Sequence, residues 1–108
     1  FFIAALKVEF EIESLKILVR KVTKEDIKSR NLPNQTSGLV ITKINNNSPL
    51  LNSVEVNSII LEAQKKKIKT INDLDQAVKK VLGSNQKTML LVIYNIENSR
   101  EYIGVNLE

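Results

Sequence analysis

Apolar and charged positions alternate without a break along residues 6–13 (LKVEFEIE), the period-two signature of a strand with one buried face. Ser14-Leu15-Lys16 interrupts the alternation, and residues 17–22 form a second strand with Arg20 and Lys21 near its end. Thr23 followed by Glu25 and Asp26 predicts a short helix with acids in its first turn, where the helix dipole favours them. That helix ends near Arg30, and Leu32-Pro33 closes it. Residues 39–44 (LVITKI) are apolar and β-branched, a pattern suited to a central strand. The polar turn Asn45-Asn46-Asn47 leads into Ser48-Pro49, an N-cap with proline at the first helical position, which predicts a one-turn helix.

Residues 59–63 (IILEA) read as the next strand, and Lys65-Lys66-Lys67 as the tip of a hairpin before a short strand at Ile68. Thr70, with Asp73 three residues on, forms a capping box for the major helix. Ile71, Leu74, Val78, Val81 and Leu82 recur at helical spacing, and Ala77 permits close approach to a sheet. Lys79 and Lys80 suit the last turn, and Gly83 stops the helix. Residues 88–94 are a continuous apolar strand, 95–99 a turn, and 102–107 the closing strand. The whole predicts one α+β domain without internal repeats.

Composition narrows the chemistry. A chain of 108 residues with 43% hydrophobic content has enough apolar surface for one core. No run of about 18 apolar residues is present, so no spanning helix is expected. Histidine and cysteine are both absent, which removes Ser-His-Asp and Cys-His catalysis and ordinary zinc or haem sites; no cofactor is expected. The net charge of +4 accompanies abundant Asn, Lys and Ile, a bias that coding composition explains without a polyanionic partner. Lys65-Lys66-Lys67 lacks interleaved aromatics and reads as a solvated tip rather than a phosphate patch. Glu9, Glu11 and Glu13 read as the solvent side of a strand. Phe1-Phe2-Ile3 forms an apolar terminus, the end of a linker or a segment that docks elsewhere.

The order strand, short helix, strand, helix, two strands resembles a PDZ domain of the bacterial permuted type, as in the HtrA/Deg family of envelope serine proteases. Gly38-Leu39-Val40-Ile41-Thr42-Lys43-Ile44 is similar to that family's Gly-Val-x-Val-x-x-Val strand, and Ser48-Pro49-Leu50 to its Ser-Pro-Ala element. Ser53 to Ile60 is similar to Gly-Leu-x-x-Gly-Asp-x-Ile, with Asn57-Ser58 in place of Gly-Asp; Asn tolerates the left-handed backbone that glycine supplies there. Asp73-Leu74 and Ala77-Val78 match the family helix. The resemblance runs from about Glu13 to Leu107 and divides the chain into residues 1–12, a linker or N-terminal strand extension, and a PDZ domain at 13–108. It implies a partly open β-barrel or sandwich of five to six strands with one major and one or two short helices. Tyr102-Ile103-Gly104-Val105 looks like a Tyr-Ile-Gly-Val loop of some relatives, but its position assigns it to the closing strand and the core.

The resemblance also implies a site. Ser14, Leu15, Lys16 and Ile17 align with the carboxylate-binding Gly-Leu-Gly-Phe loop, with Lys16 where glycine is usual. Leu18, Val19 and Arg20 would offer a strand edge for an added peptide, unless the chain's own N-terminus covers it; Ile71, Asp75 and Val78 would line the groove beside it, with Ile71 and Val78 plain core in the alternative and Asp75 polar where many such grooves are apolar. The weak loop resembles the second, C-terminal PDZ domain of two-PDZ proteases. The expected role is a non-catalytic peptide-binding or oligomer-assembly module of a periplasmic serine endopeptidase in protein quality control. Its partners would be extended or C-terminal peptides of unfolded proteins and other subunits of the same protease, with no nucleic acid and no direct membrane insertion. Two alternatives stand beside it: a PDZ domain of another membrane-associated protease or secretion component, and a basic nucleic-acid-binding domain.

Overall fold

Two bulges decide the shape of the sheet. The computed structural model describes residues 9–107. Within them, strands β1 (Phe10–Ile12), β2 (Ile17–Lys21), β3 (Leu39–Ile44), β4 (Ile59–Ala63), β5 (Lys66–Lys67), β6 (Thr88–Tyr94) and β7 (Arg100–Asn106) form one antiparallel sheet. Its order is β1-β2-β3-β4-β6-β7, with β5 hanging from β4. Between β2 and β3 the register jumps from Leu18↔Lys43 to Val19↔Ile41, leaving Thr42 as the extra residue. Between β4 and β6 it jumps from Ile60↔Ile93 to Glu62↔Val92, leaving Leu61 as the extra residue. Each bulge increases local twist, and together they curl the sheet around the core without closing it.

Helix α2 (Ile71–Leu82) packs against β1 and β2 at one end of this path and against β6 near the other, so it covers the gap that the open sheet leaves. Its N-terminus follows the sequence pattern: the Thr70 hydroxyl accepts from the Asp73 N–H at 3.1 Å, while the Asp73 carboxylate accepts from the Thr70 N–H at 3.0 Å. Leu74, Val78 and Val81 are buried, but Leu82, about 100° round the helix from Val81, is 54% exposed. The main core joins these residues to Ile12, Leu15, Ile17, Val19, Ile41, Leu50, Met89, Leu91 and Val105. A smaller cluster of Leu32, Val40, Ile59, Leu61 and Val92 lies on the other face of the sheet, with Ile27 of helix α1 (Lys24–Ser29) packed against it.

Several expectations are refined. Seven strands stand where five to six were expected, since β1 joins the sheet and β5 is a two-residue strand. Residues 49–53 form consecutive turns rather than a helix; only the Val54 N–H reaches back four residues, to the Leu50 carbonyl at 3.1 Å. The β4–β5 hairpin turns at Gln64 and Lys65, with φ of 52° and 69°, and Lys66 and Lys67 belong to β5 itself. Positive φ at both central residues is the type I′ hairpin turn, formed here without the usual Asn or Gly. Residues 102–105 do lie in the closing strand, where Val105 is buried but Tyr102 is 67% exposed. Asn57 adopts φ 80°, the left-handed backbone expected of it. The readings of residues 1–3 and of the strand over residues 6–8 fall outside the described residues.

Candidate functional site

The β2 edge that faces away from β3 carries β1. Pairs Phe10↔Val19, Glu11↔Leu18 and Ile12↔Ile17 run antiparallel, so β1 descends along β2 and ends at the loop of residues 13–16. Side chains alternate as the pleat requires. Ile12 is 2% exposed and shares the main core with Ile17, Val19, Leu74 and Val78, whereas Glu11 on the opposite face is exposed. Phe10, on the same side as Ile12 by alternation, is 46% exposed at the open end.

The loop that follows turns its amides onto that strand. The Lys16 N–H donates to the Ile12 carbonyl at 2.7 Å and the Leu15 N–H donates to the same oxygen at 3.1 Å. Lys16 occupies φ 55°, the left-handed region in which a glycine would sit without strain. Leu15 is fully buried and anchors the loop from inside, while Ser14 and Lys16 are exposed. A residue that sequence reasoning assigned to another task holds the loop from below. Ser48, 7% exposed, donates from its hydroxyl to the Leu15 carbonyl at 2.6 Å and accepts from the Leu50 N–H at 3.0 Å. The Asn45 N–H adds a bond to the Lys16 carbonyl at 3.0 Å. The Ser-Pro pattern pointed to a helix cap; its hydroxyl instead joins the turn after β3 to the loop before β2.

The residues expected to form the site divide into two groups. Leu15, Ile17, Val19, Ile71 and Val78 come together on the face shared by β2 and α2, with Val78 buried and Ile71 half-buried. Leu18 and Arg20 point to the other face. The Arg20 guanidinium meets the Asp26 carboxylate in two bonds, Nη1 to Oδ2 at 2.7 Å and Nη2 to Oδ1 at 2.9 Å. Asp26 also completes the α1 capping box, accepting from the Thr23 N–H at 2.7 Å. The hydrogen-bonded Arg20, followed by the Thr23 donors, lowers the Asp26 carboxyl from 3.8 to about 2 despite its burial. The Arg20 side chain therefore secures α1, and Arg20 faces the groove through its backbone alone. Asp75 sits half-buried on α2 and pairs with Lys79 at 3.0 Å, one turn on.

Away from this groove, a cleft of about 510 Å³ lined by Leu51, Val54, Glu55, Ile93, Ile96 and Glu101 opens at the β6–β7 turn. Among the described residues no cluster of His, Cys, Asp or Glu is arranged to hold a metal ion, and no helix is long and apolar enough to cross a membrane.

No protein-family model matches this chain, and no curated protein does either. Among solved structures, an HtrA-type protease, AlgW, solved with a decapeptide, shares the fold at a TM-score of 0.62 and 16% identity. The likeness covers 85% of this chain and 27% of the protease, so the chain spans about a quarter of that protein's length. At this identity the likeness establishes architecture: an α+β, PDZ-like antiparallel sheet left partly open, with one long helix across the opening.

Proposed function

We propose that this chain is a non-catalytic PDZ-type docking module of an HtrA/Deg-type serine endoprotease, which binds extended polypeptide by strand addition along β2 beside α2. One observation carries the reading. The β2 edge next to α2 already holds a strand in antiparallel register, its apolar side chain in the core and its carbonyl on two loop amides. Strand addition uses those three features: a backbone edge that takes a strand in register, a pocket for alternate side chains and donors at the end of the strand. The absence of His and Cys from the whole sequence supports a binding role for this part of its parent, whose catalytic domain would lie elsewhere in the polypeptide.

In this reading the ligands are extended segments of unfolded proteins, or a strand from a neighbouring subunit during oligomer assembly, and the compartment is the bacterial envelope. Main-chain bonds supply affinity and the Ile12 position supplies selection for one apolar side chain. Affinity is modest, because one short strand buries less than the roughly 1,600 Å² of a standard interface.

The test is an amide-shift titration of the isotope-labelled chain with hydrophobic C-terminal peptides up to millimolar concentration. Shifts confined to residues 14–20 and 71–78 support the reading. Shifts centred on residues 51–55 and 93–101 move docking to the distant cleft and overturn it.

A further inference from the structure

Strand β1 stands where an added strand would stand. It pairs with the outer edge of β2, lies against α2, and buries Ile12 in the apolar position beside Ile17. Its last carbonyl takes both inward amides of the loop, at 2.7 and 3.1 Å, so the donors at the end of the groove are satisfied from within the chain. Resting on the strand-addition reading, we infer that Phe10–Ile12 is a tethered internal ligand of the β2/α2 groove, and that an external peptide binds only by displacing it. The ligand class follows from what β1 supplies: an extended segment with an apolar residue facing Ile17 and an oxygen acceptor aimed at the Leu15 and Lys16 amides. A peptide ending at that apolar residue would present a carboxylate oxygen where the Ile12 carbonyl now sits.

The tether sets the strength of the competition. A loop of residues 13–16 keeps β1 at an effective concentration in about the millimolar range or above, against which a free peptide must compete. Apparent affinity then falls by the fraction of molecules whose groove is vacant. Two features make the seat releasable. Only Ile12 of the strand is deeply buried, with Phe10 and Glu11 exposed, and the loop holds Lys16 in a left-handed conformation that costs a non-glycine residue energy.

The experiment compares three chains: the 108-residue sequence itself, Ile12→Asp, and a chain with a Gly-Ser spacer inserted after Glu13. Ile12→Asp removes the apolar plug. The spacer keeps every native side chain and lowers only the effective concentration. The probe is a synthetic peptide with the sequence of residues 7–12 (KVEFEI) and a free carboxylate, titrated while amide shifts are followed. The expected result is binding by both variants at least about tenfold tighter than by the native chain, with shifts at residues 14–20 and 71–78. Equal affinity in all three chains would overturn the internal-ligand inference while leaving the groove in place as a docking site. No binding by any of them, with the spacer chain retaining a dispersed amide spectrum, would overturn the groove reading and the inference with it.

Discussion

The Ser48 hydroxyl and the Leu15 carbonyl meet at 2.6 Å in a buried contact that joins segments 33 positions apart in sequence. The bond fixes the height of the loop whose amides face Ile12, and the same hydroxyl accepts from Leu50. Ser48→Ala leaves a buried carbonyl and an amide without their partner. We expect a loss of about 1–3 kcal/mol in urea unfolding, with the largest amide-shift changes in the folded variant at Leu15, Lys16 and Leu50.

Gly38 and Gly104 give a contrasting pair. A Cβ on Gly38 would lie 2.4 Å from the Ile60 carbonyl oxygen at a φ of +153°, so backbone must move. Gly38→Ala should lower stability by more than about 1 kcal/mol or prevent folding. A Cβ on Gly104 meets only the Thr88 methyl at 3.5 Å, an ordinary contact. Gly104→Ala should stay within about 0.5 kcal/mol of the native chain in the same assay.

The Arg20–Asp26 pair makes stability depend on acid. The folded carboxyl is held at about 2 against an ordinary 3.8, so folding favours its ionised form. That contribution is complete above the unfolded value and is lost as pH falls from about 4 through 2. The loss amounts to about 2 kcal/mol. Thermal unfolding followed from pH 6 to pH 2 should show the decline, and Asp26→Asn should remove this part of the slope while lowering stability at neutral pH. An unchanged slope in Asp26→Asn would assign the acid sensitivity to other carboxylates.

Lys16 stands at φ 55°. Replacement by glycine should leave stability unchanged or raise it by up to about 1 kcal/mol, whereas Lys16→Val should destabilise, since a β-branched residue fits the left-handed region worst. Denaturant midpoints of the two variants test the order.

Local sequence spoke clearly wherever local bonds decide structure. Thr70 and Asp73 announced α2 because they bond to each other's backbone within one turn, and residues 39–44 and 88–94 announced strands because burial on both sheet faces demands apolar runs. The candidate site was legible in part. Leu15, Ile17, Val19 and Val78 were named from the resemblance and do meet, but the turning of Arg20 toward Asp26 rests on a pairing across two elements that no periodicity signals. The Gln64-Lys65 turn was hidden for a similar reason. Gln64 is held by Leu90 in β6, donating its N–H to the Leu90 carbonyl and accepting from the Leu90 N–H. Of the alternation over residues 6–13, Phe10–Ile12 form a strand among the described residues; the sequence left the edge of residues 17–20 open between a foreign peptide and the chain's own N-terminus, and β1 covers it with Ile12 seated in the core.

The β1 arm also has a mechanical side. Its closed end is the loop beside Ile12 and Ile17, and its open end is Phe10 opposite Val19, where the preceding polypeptide is attached. A pull directed away from the sheet through that attachment loads the pairs one after another, beginning at half-exposed Phe10 and reaching buried Ile12 last. Peeling of this kind needs far less force than shearing three pairs at once. In the internal-ligand reading, tension applied through residue 10 would therefore empty the groove from its open end.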